Sequence, residues 1–221
     1  MKVIITGATG MVGKSVLLES IEDPRVSEIL LISRNSLGTP YRKVKEVLHT
    51  DFTDFSLIED QLNGYDICCH CMGVSSAGLN EEKFNHYTFI MTKALADILH
   101  NLNPNMVFAY VSGQGTDSSE KSKSMWKRIK GKTENYLLAK GFKDAYMFRP
   151  GIILPEKGIT SNTKWYNLFY RISKPLFPLM KKLKTVTTTT KMGRAMLNCY
   201  FFSQQTKHLE GSAINALAEY N

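Results

Sequence analysis

Glycine recurs at every third position in Gly7-Ala8-Thr9-Gly10-Met11-Val12-Gly13, between the apolar run Lys2 to Thr6 and a stretch of helical spacing over Val12 to Ile21. A strand that turns into a helix through residues without side chains lets backbone N–H groups approach whatever lies above the turn. The helix dipole adds partial positive charge there, so the arrangement suits a diphosphate. A merely tight turn would use glycine too, but a position directly after a strand and before a helix is the context a dinucleotide-binding turn requires. Gly7, Thr9, Gly10, Met11, Val12 and Gly13 are the expected contacts.

About 20 residues beyond the third glycine, the run Glu28 to Ile32 ends in Ser33-Arg34. A carboxylate there would hold a ribose 2′-hydroxyl, as in NAD-selective sites, whereas a guanidinium pairs bidentately with a 2′-phosphate. Arg34 therefore favours NADP over NAD; the alternative is a solvated loop charge.

These residues need a frame that brings strand ends together. Lys2 to Thr6, Glu28 to Ile32, Val44 to Leu48, Asp66 to Cys71, Met106 to Val111 and Ala145 to Phe148 read as strands, with a weaker seventh around Ser212 to Asn215. Several are almost continuously apolar, as strands covered on both faces must be. Val12 to Ile21, Glu81 to Leu102 and Met125 to Lys140 read as helices, the first two stopped by Pro24 and Pro104. The alternation predicts an α/β, doubly wound parallel sheet of the Rossmann kind, with ligands beyond the carboxyl ends of the strands. Residues 1–155 would form the dinucleotide-binding core. Residues 156–221 would supply a small C-terminal cap and the last core elements of the same single domain.

The spacing GxxGxxG in TGATGMVG, with the later strings YVSGQGTD, WKRIKGKTEN and FRPG, resembles the extended and atypical short-chain dehydrogenase/reductases, often labelled NAD-dependent epimerase/dehydratase. Within them the chain looks most like the small proteins related to the Tat-interacting oxidoreductases. The resemblance implies that Asp51 contacts the adenine amino group, though Asp51-Phe52 equally suits a turn. It also implies that Met72-Gly73 passes beneath the adenosine ribose, and that Pro150, Gly151 and Ile152 run alongside the nicotinamide. The Pro-Gly pair could equally be an ordinary fixed turn.

The same resemblance implies a Ser after the fifth strand and a Tyr and Lys four apart on the next helix. The lysine lowers the phenol pKa and grips the nicotinamide ribose while the Tyr moves a proton. Ser112 and Lys130 match, but the position four before Lys130 is Trp126, whose indole cannot titrate as an acid or base. Gly113 and Gln114 follow Ser112, where a second hydroxyl often lies. Either Thr116, Ser112, a substrate-bound water or Lys130 itself handles the proton, or the protein binds its dinucleotide without the usual redox step. The leading expectation is an NADP-linked oxidoreductase or epimerase-like enzyme on a small carbonyl or hydroxyl compound. The rival is a non-catalytic nucleotide-binding protein.

With 43% hydrophobic and 22% charged residues in 221, the chain can bury a substantial core, which excludes wholesale disorder. Its net charge of +8 is local: between residues 156 and 194 there are nine basic residues and only one acid, Glu156. Trp165, Tyr166, Phe169 and Tyr170 are interleaved with them and would line a substrate pocket. Alternatively, residues 163–184 would lie on an anionic membrane surface, although Pro175 and Pro178 break a continuous helix. No groove-reading motif points to nucleic acid, and nothing marks an oligomeric face. Cys68, Cys69 and Cys71 lack the spacing of a zinc site or disulfide framework and read as buried strand thiols, so no metal is expected. The absence of a secretory signal and of a long apolar stretch predicts a soluble, cytosolic protein.

Overall fold

The computed structural model describes residues 1–38, 41–160, 177–180, 183 and 185–220. Its strands are β1 (Lys2–Thr6), β2 (Glu28–Ser33), β3 (Val44–Leu48), β4 (Ile67–His70), β5 (Val107–Val111), β6 (Asp144–Arg149), β7 (Ile152–Leu154), β8 (Val186–Thr188) and β9 (His208–Glu210). Seven of them make one parallel sheet in the order β3-β2-β1-β4-β5-β6-β9, while β7 and β8 pair separately, also in parallel. The order reverses between β1 and β4, which opens a crevice at the carboxyl ends of the central strands.

Alternate residues along each strand point to opposite faces, and here both faces are apolar. Val3, Ile5, Ile29, Leu31, Val107 and Phe148 pack with α1 (Met11–Glu22) and a later helix carrying Met192 and Met196. Ile4, Leu30, Ile32, Phe108 and Met147 pack on the other side against Leu95, Leu99 and Leu137. Those three come from α3 (Met91–Leu102) and α4 (Met125–Ala139); α3 continues α2 (Glu81–Asn85) through one wide turn at His86–Ile90. Each fully buried aliphatic side chain contributes about 1.5–3 kcal/mol. Two covered faces explain why the strands lack a polar alternation.

Beyond residue 185, α5 (Thr189–Phe201) and α6 (Gly211–Leu217) complete the first face. Gly193 lets α5 cross α1 closely, since a Cβ there would lie 2.8 Å from both Glu19 Cγ and Ser15 Oγ. The seventh strand is corrected in position. It is His208–Glu210, with Leu209 buried opposite Phe148, whereas Ser212 to Asn215 lies in α6, whose Ile214 and Leu217 are buried at helical spacing. Three residues with one inward Leu carry too little pattern to announce a strand.

Cys68 and Cys69 point to opposite faces of β4 and are fully buried, as is the Cys199 thiol beside Met196; burial pushes all three thiols up. The aromatic residues Trp165, Tyr166, Phe169 and Tyr170 lie outside the described residues, as does most of 163–184. No described helix is long and apolar enough to cross a membrane.

Candidate functional site

β1 ends in Thr6 and the chain turns at Gly7, whose φ of +72° suits glycine. A side chain has no room on this turn. A Cβ on Gly7 would stand 2.7 Å from the Met72 nitrogen, and one on Gly13 would stand 2.2 Å from the Gly7 carbonyl oxygen. The Gly10 N–H donates to that same carbonyl at 2.9 Å, which closes the turn. Helix α1 then starts with no side-chain cap and no acid in its first turn. Its first N–H groups, through Met11, Val12 and Gly13, have no partner within the helix and stand open to an anion. Below the turn, buried His70 bridges Thr6 Oγ1 (2.7 Å) and Thr92 Oγ1 (3.0 Å), tying β1, β4 and α3 together. Burial holds its pKa down to about 3, so the imidazole is neutral.

Beside this cradle is a cavity of about 180 Å³ lined by Gly7, Thr9, Gly10, Ile32, Ser33, Arg34, Asn35, Phe52, Cys71, Met72 and Gly73. Five sequence-expected contacts from the turn and its neighbours thus meet Arg34 and Phe52 in one place. Arg34 is exposed at the end of β2 with no ion pair among the described residues. A Cβ on Gly73 would meet nothing within 4 Å, so this glycine leaves the cavity floor open rather than relieving a clash. Asp51 does not line the cavity. Its Oδ1 accepts from the Thr53 N–H (2.9 Å) and hydroxyl (2.5 Å), which makes it a turn residue first.

At the other end of the crevice, Lys130 on α4 reaches β5 and donates from Nζ to the Ser112 carbonyl, close to Gly113. Burial lowers its pKa to about 8, against the opposing pull of Glu134. The Ser112 hydroxyl donates to Glu134 Oε1 at 2.5 Å. Thr116 is also buried, and its hydroxyl donates to the Gly113 carbonyl at 2.7 Å. Each of these two O–H groups thus has a partner within the protein, Glu134 for Ser112 and the Gly113 carbonyl for Thr116. Trp126 packs over Gly115, with the Lys127 ammonium 5.7 Å from its ring centroid.

The Pro150-Gly151-Ile152 turn lies against this loop. The Gln114 N–H donates to the Pro150 carbonyl at 3.0 Å, and a Cβ on Gly151 would stand 2.5 Å from Gln114 Oε1. Gly151 and Ile152 are exposed, and Ile152 begins β7.

Glu134 and Arg149 were missed by the sequence reading. Glu134 is wholly buried and pairs with Arg149, whose Nε lies 3.0 Å from Oε1. The available signals were a carboxylate one helical turn after Lys130 and a charged residue closing the apolar strand AYMF. Neither says that the two meet.

A glycine cradle that a Cβ would fill, an uncapped helix N-terminus and an adjoining cavity at the sheet's switch point fit a dinucleotide, and they define a Rossmann-type nucleotide-binding protein. The sequence model of the NAD dependent epimerase/dehydratase family matches residues 3–145, and the chain belongs to that family. It is an NAD(P)-binding protein of short-chain dehydrogenase type. Protein fmp52, mitochondrial, of Emericella nidulans is 28% identical over 165 residues, covering 70% of this chain and 68% of its own. The Candida albicans protein of that name is 25% identical over 161 residues, covering 71% and 69%. Among solved structures, the Bordetella bronchiseptica enzyme WbmH in complex with NAD+ superposes with a TM-score of 0.68 at 14% identity, over 94% of this chain and 74% of that one. The cytosolic expectation is corrected by the two relatives, whose names call them mitochondrial.

Proposed function

We propose that the protein is an NADP-dependent oxidoreductase or epimerase-like enzyme acting on a small carbonyl or hydroxyl compound, with Lys130 taking over the proton transfer of the absent phenol. The observation that carries this reading is the reach of Lys130 Nζ from α4 to the Ser112 carbonyl just past β5, beside the loop whose Gln114 N–H bonds to the Pro150 carbonyl. NADP is preferred over NAD because Arg34 opens onto the cavity with its guanidinium unpaired by any described acid.

A nicotinamide held beside this loop would supply the hydride donor or acceptor. Lys130 does the rest with one group: its ammonium donates hydrogen bonds to the ribose and holds a proton at Nζ for the substrate oxygen. Titration near pH 8 lets it release and regain that proton under ordinary conditions. Gly151 and Ile152 offer backbone groups to the carboxamide, and Gly7 through Gly13 hold the diphosphate. The narrower kinship with the Tat-interacting oxidoreductases belongs to this reading.

A second reading is favoured by the committed hydroxyls of Ser112 and Thr116 and by Trp126: a non-catalytic NADP-binding regulator, in contact with a membrane surface through residues 163–184. Calorimetry with NADPH and NADH, then turnover across aldehydes, ketones and quinones, separates the two. The enzyme reading expects tight NADPH binding, turnover lost in Lys130→Met, and faster turnover in Trp126→Tyr. Binding without turnover in both the parent and Trp126→Tyr would favour the regulator, and flotation with anionic liposomes, with and without residues 163–184, tests its membrane contact. No binding of either coenzyme would reject both.

A further inference from the structure

Glu134 has no exposed surface, and it sits on α4 four residues after Lys130, one turn along the same face. Both carboxylate oxygens are engaged. Oε1 accepts from Ser112 Oγ at 2.5 Å and from Arg149 Nε at 3.0 Å, and Oε2 accepts from the other arm of the Arg149 guanidinium. Ser112 carries the contact onward, because its carbonyl accepts from Lys130 Nζ. The contacts run from β6 through α4 to the end of β5 and return to α4 at Lys130.

Burying a carboxylate costs several kcal/mol in desolvation, and apolar residues of similar size would often pack this space as stably. The pair's value therefore lies in what it does to its neighbours. We infer that Glu134 is the positioning residue of Lys130: through the Ser112 hydroxyl it fixes the carbonyl on which Nζ rests, and it supplies the negative charge that keeps the ammonium charged in a buried place. The inference rests on the proposed role of Lys130 and deepens it.

Other ionisable groups flank the cluster. Lys127 shares the helix. Tyr110 on β5 is buried, with its phenol pushed up by burial and by Glu134. Arg149 on β6 is held charged by Glu134, with smaller pulls from Glu210 on β9 and from Asp117 in the loop before α4. His208 on β9 lies 3.5 Å from Glu134, and burial and Arg149 hold its pKa below the usual imidazole range, so it adds no positive charge near neutrality. For Lys130 itself, Glu134 is the charge that opposes burial.

The test is a nuclear magnetic resonance titration of ¹³Cε-labelled lysines in the 221-residue protein, with the Lys130 signal identified by its loss in Lys130→Arg. In Glu134→Gln, which keeps the side-chain shape and removes the charge, Lys130 should titrate about one pH unit lower than in the parent. Should the unpaired Arg149 prevent that variant from folding, Glu134→Gln combined with Arg149→Gln leaves no buried charge unmatched and should move the midpoint in the same direction. An unmoved Lys130 midpoint in either folded variant overturns the inference. The titration needs no coenzyme, so a parent protein that binds neither NADPH nor NADH would sink the proposed function alone.

Discussion

Gly7 and Gly13 at one end of the crevice and Ser112 and Lys130 at the other, the two ends that the proposed function assigns to one dinucleotide, are built by opposite means. At the diphosphate end side chains are excluded: the turn is so close that one methyl group would collide with backbone, and the helix behind it starts uncapped. At the nicotinamide end side chains are abundant but largely occupied with one another, in a buried set of Ser112, Glu134, Arg149 and Lys130. The first end depends on space, so it should fail abruptly when filled. The second depends on charge, so it should respond in degrees and with pH.

The largest effect should come from filling the first end. Gly13→Val puts a branched side chain where even Cβ is 2.2 Å from the Gly7 carbonyl, so α1 must move. NADPH affinity should fall by about a hundredfold or more in calorimetry, and stability by about 1–3 kcal/mol in chemical denaturation, as overpacking does. A Gly13→Val protein that binds NADPH normally would end the contrast.

Lys130→Met should weaken NADPH binding about tenfold, the value of one charged hydrogen bond, and should alter the pH response of stability. Lys130 titrates at about 8 when folded, against an ordinary value of 10.5. Between these values the unfolded chain holds the extra proton, so the parent should gain stability relative to Lys130→Met as pH rises from 8 towards 10.5. That advantage is fully present above 10.5 and is lost as pH falls through 8. Thermal melts of both proteins at pH 7 and pH 10 would reveal it, and parallel curves would refute it.

A smaller and more selective change is expected at the cavity mouth. Arg34→Ser should cost NADPH about fivefold to tenfold while leaving NADH within about twofold, because only one coenzyme carries the phosphate it would pair with. Equal losses for both coenzymes would make Arg34 a general contact. The smallest change should be that of Asp51→Asn, whose side-chain oxygen can still accept from Thr53. Coenzyme affinity should stay within about twofold; a tenfold loss would restore Asp51 as an adenine contact.

What could be read from the sequence follows the same division. The glycine turn is a local device, written in seven consecutive residues, and the strands around it are continuous apolar runs because both sheet faces are covered. Arg34, Phe52, Met72 and Gly73, which line the cavity, were reachable as well, since each lies in the loop that leaves the carboxyl end of its strand. The nicotinamide end is a meeting of distant residues: Ser112, Glu134 and Arg149 come together only when β5, α4 and β6 pack. A serine's place in a motif does not say which way its hydroxyl turns, and the buried carboxylate that claims it lies 22 residues further along. The C-terminal elements were obscured for another reason. β8 and β9 are three residues each, too short to show a period, and the Thr187 to Thr190 run conceals both the end of a strand and the cap of α5, where Thr188 accepts from the Lys191 N–H.

The pairing of β7 with β8 has a consequence for how this protein can change. Leu154 and Thr188 are neighbours in that ladder, so the chain departs and re-enters the frame at one seam, and α5 and β9 follow from the returning side. Lys157, just beyond this seam, reaches back to Glu19 and Glu22 on α1, so a change in the segment leaving β7 would be felt by the helix that begins at the glycine turn.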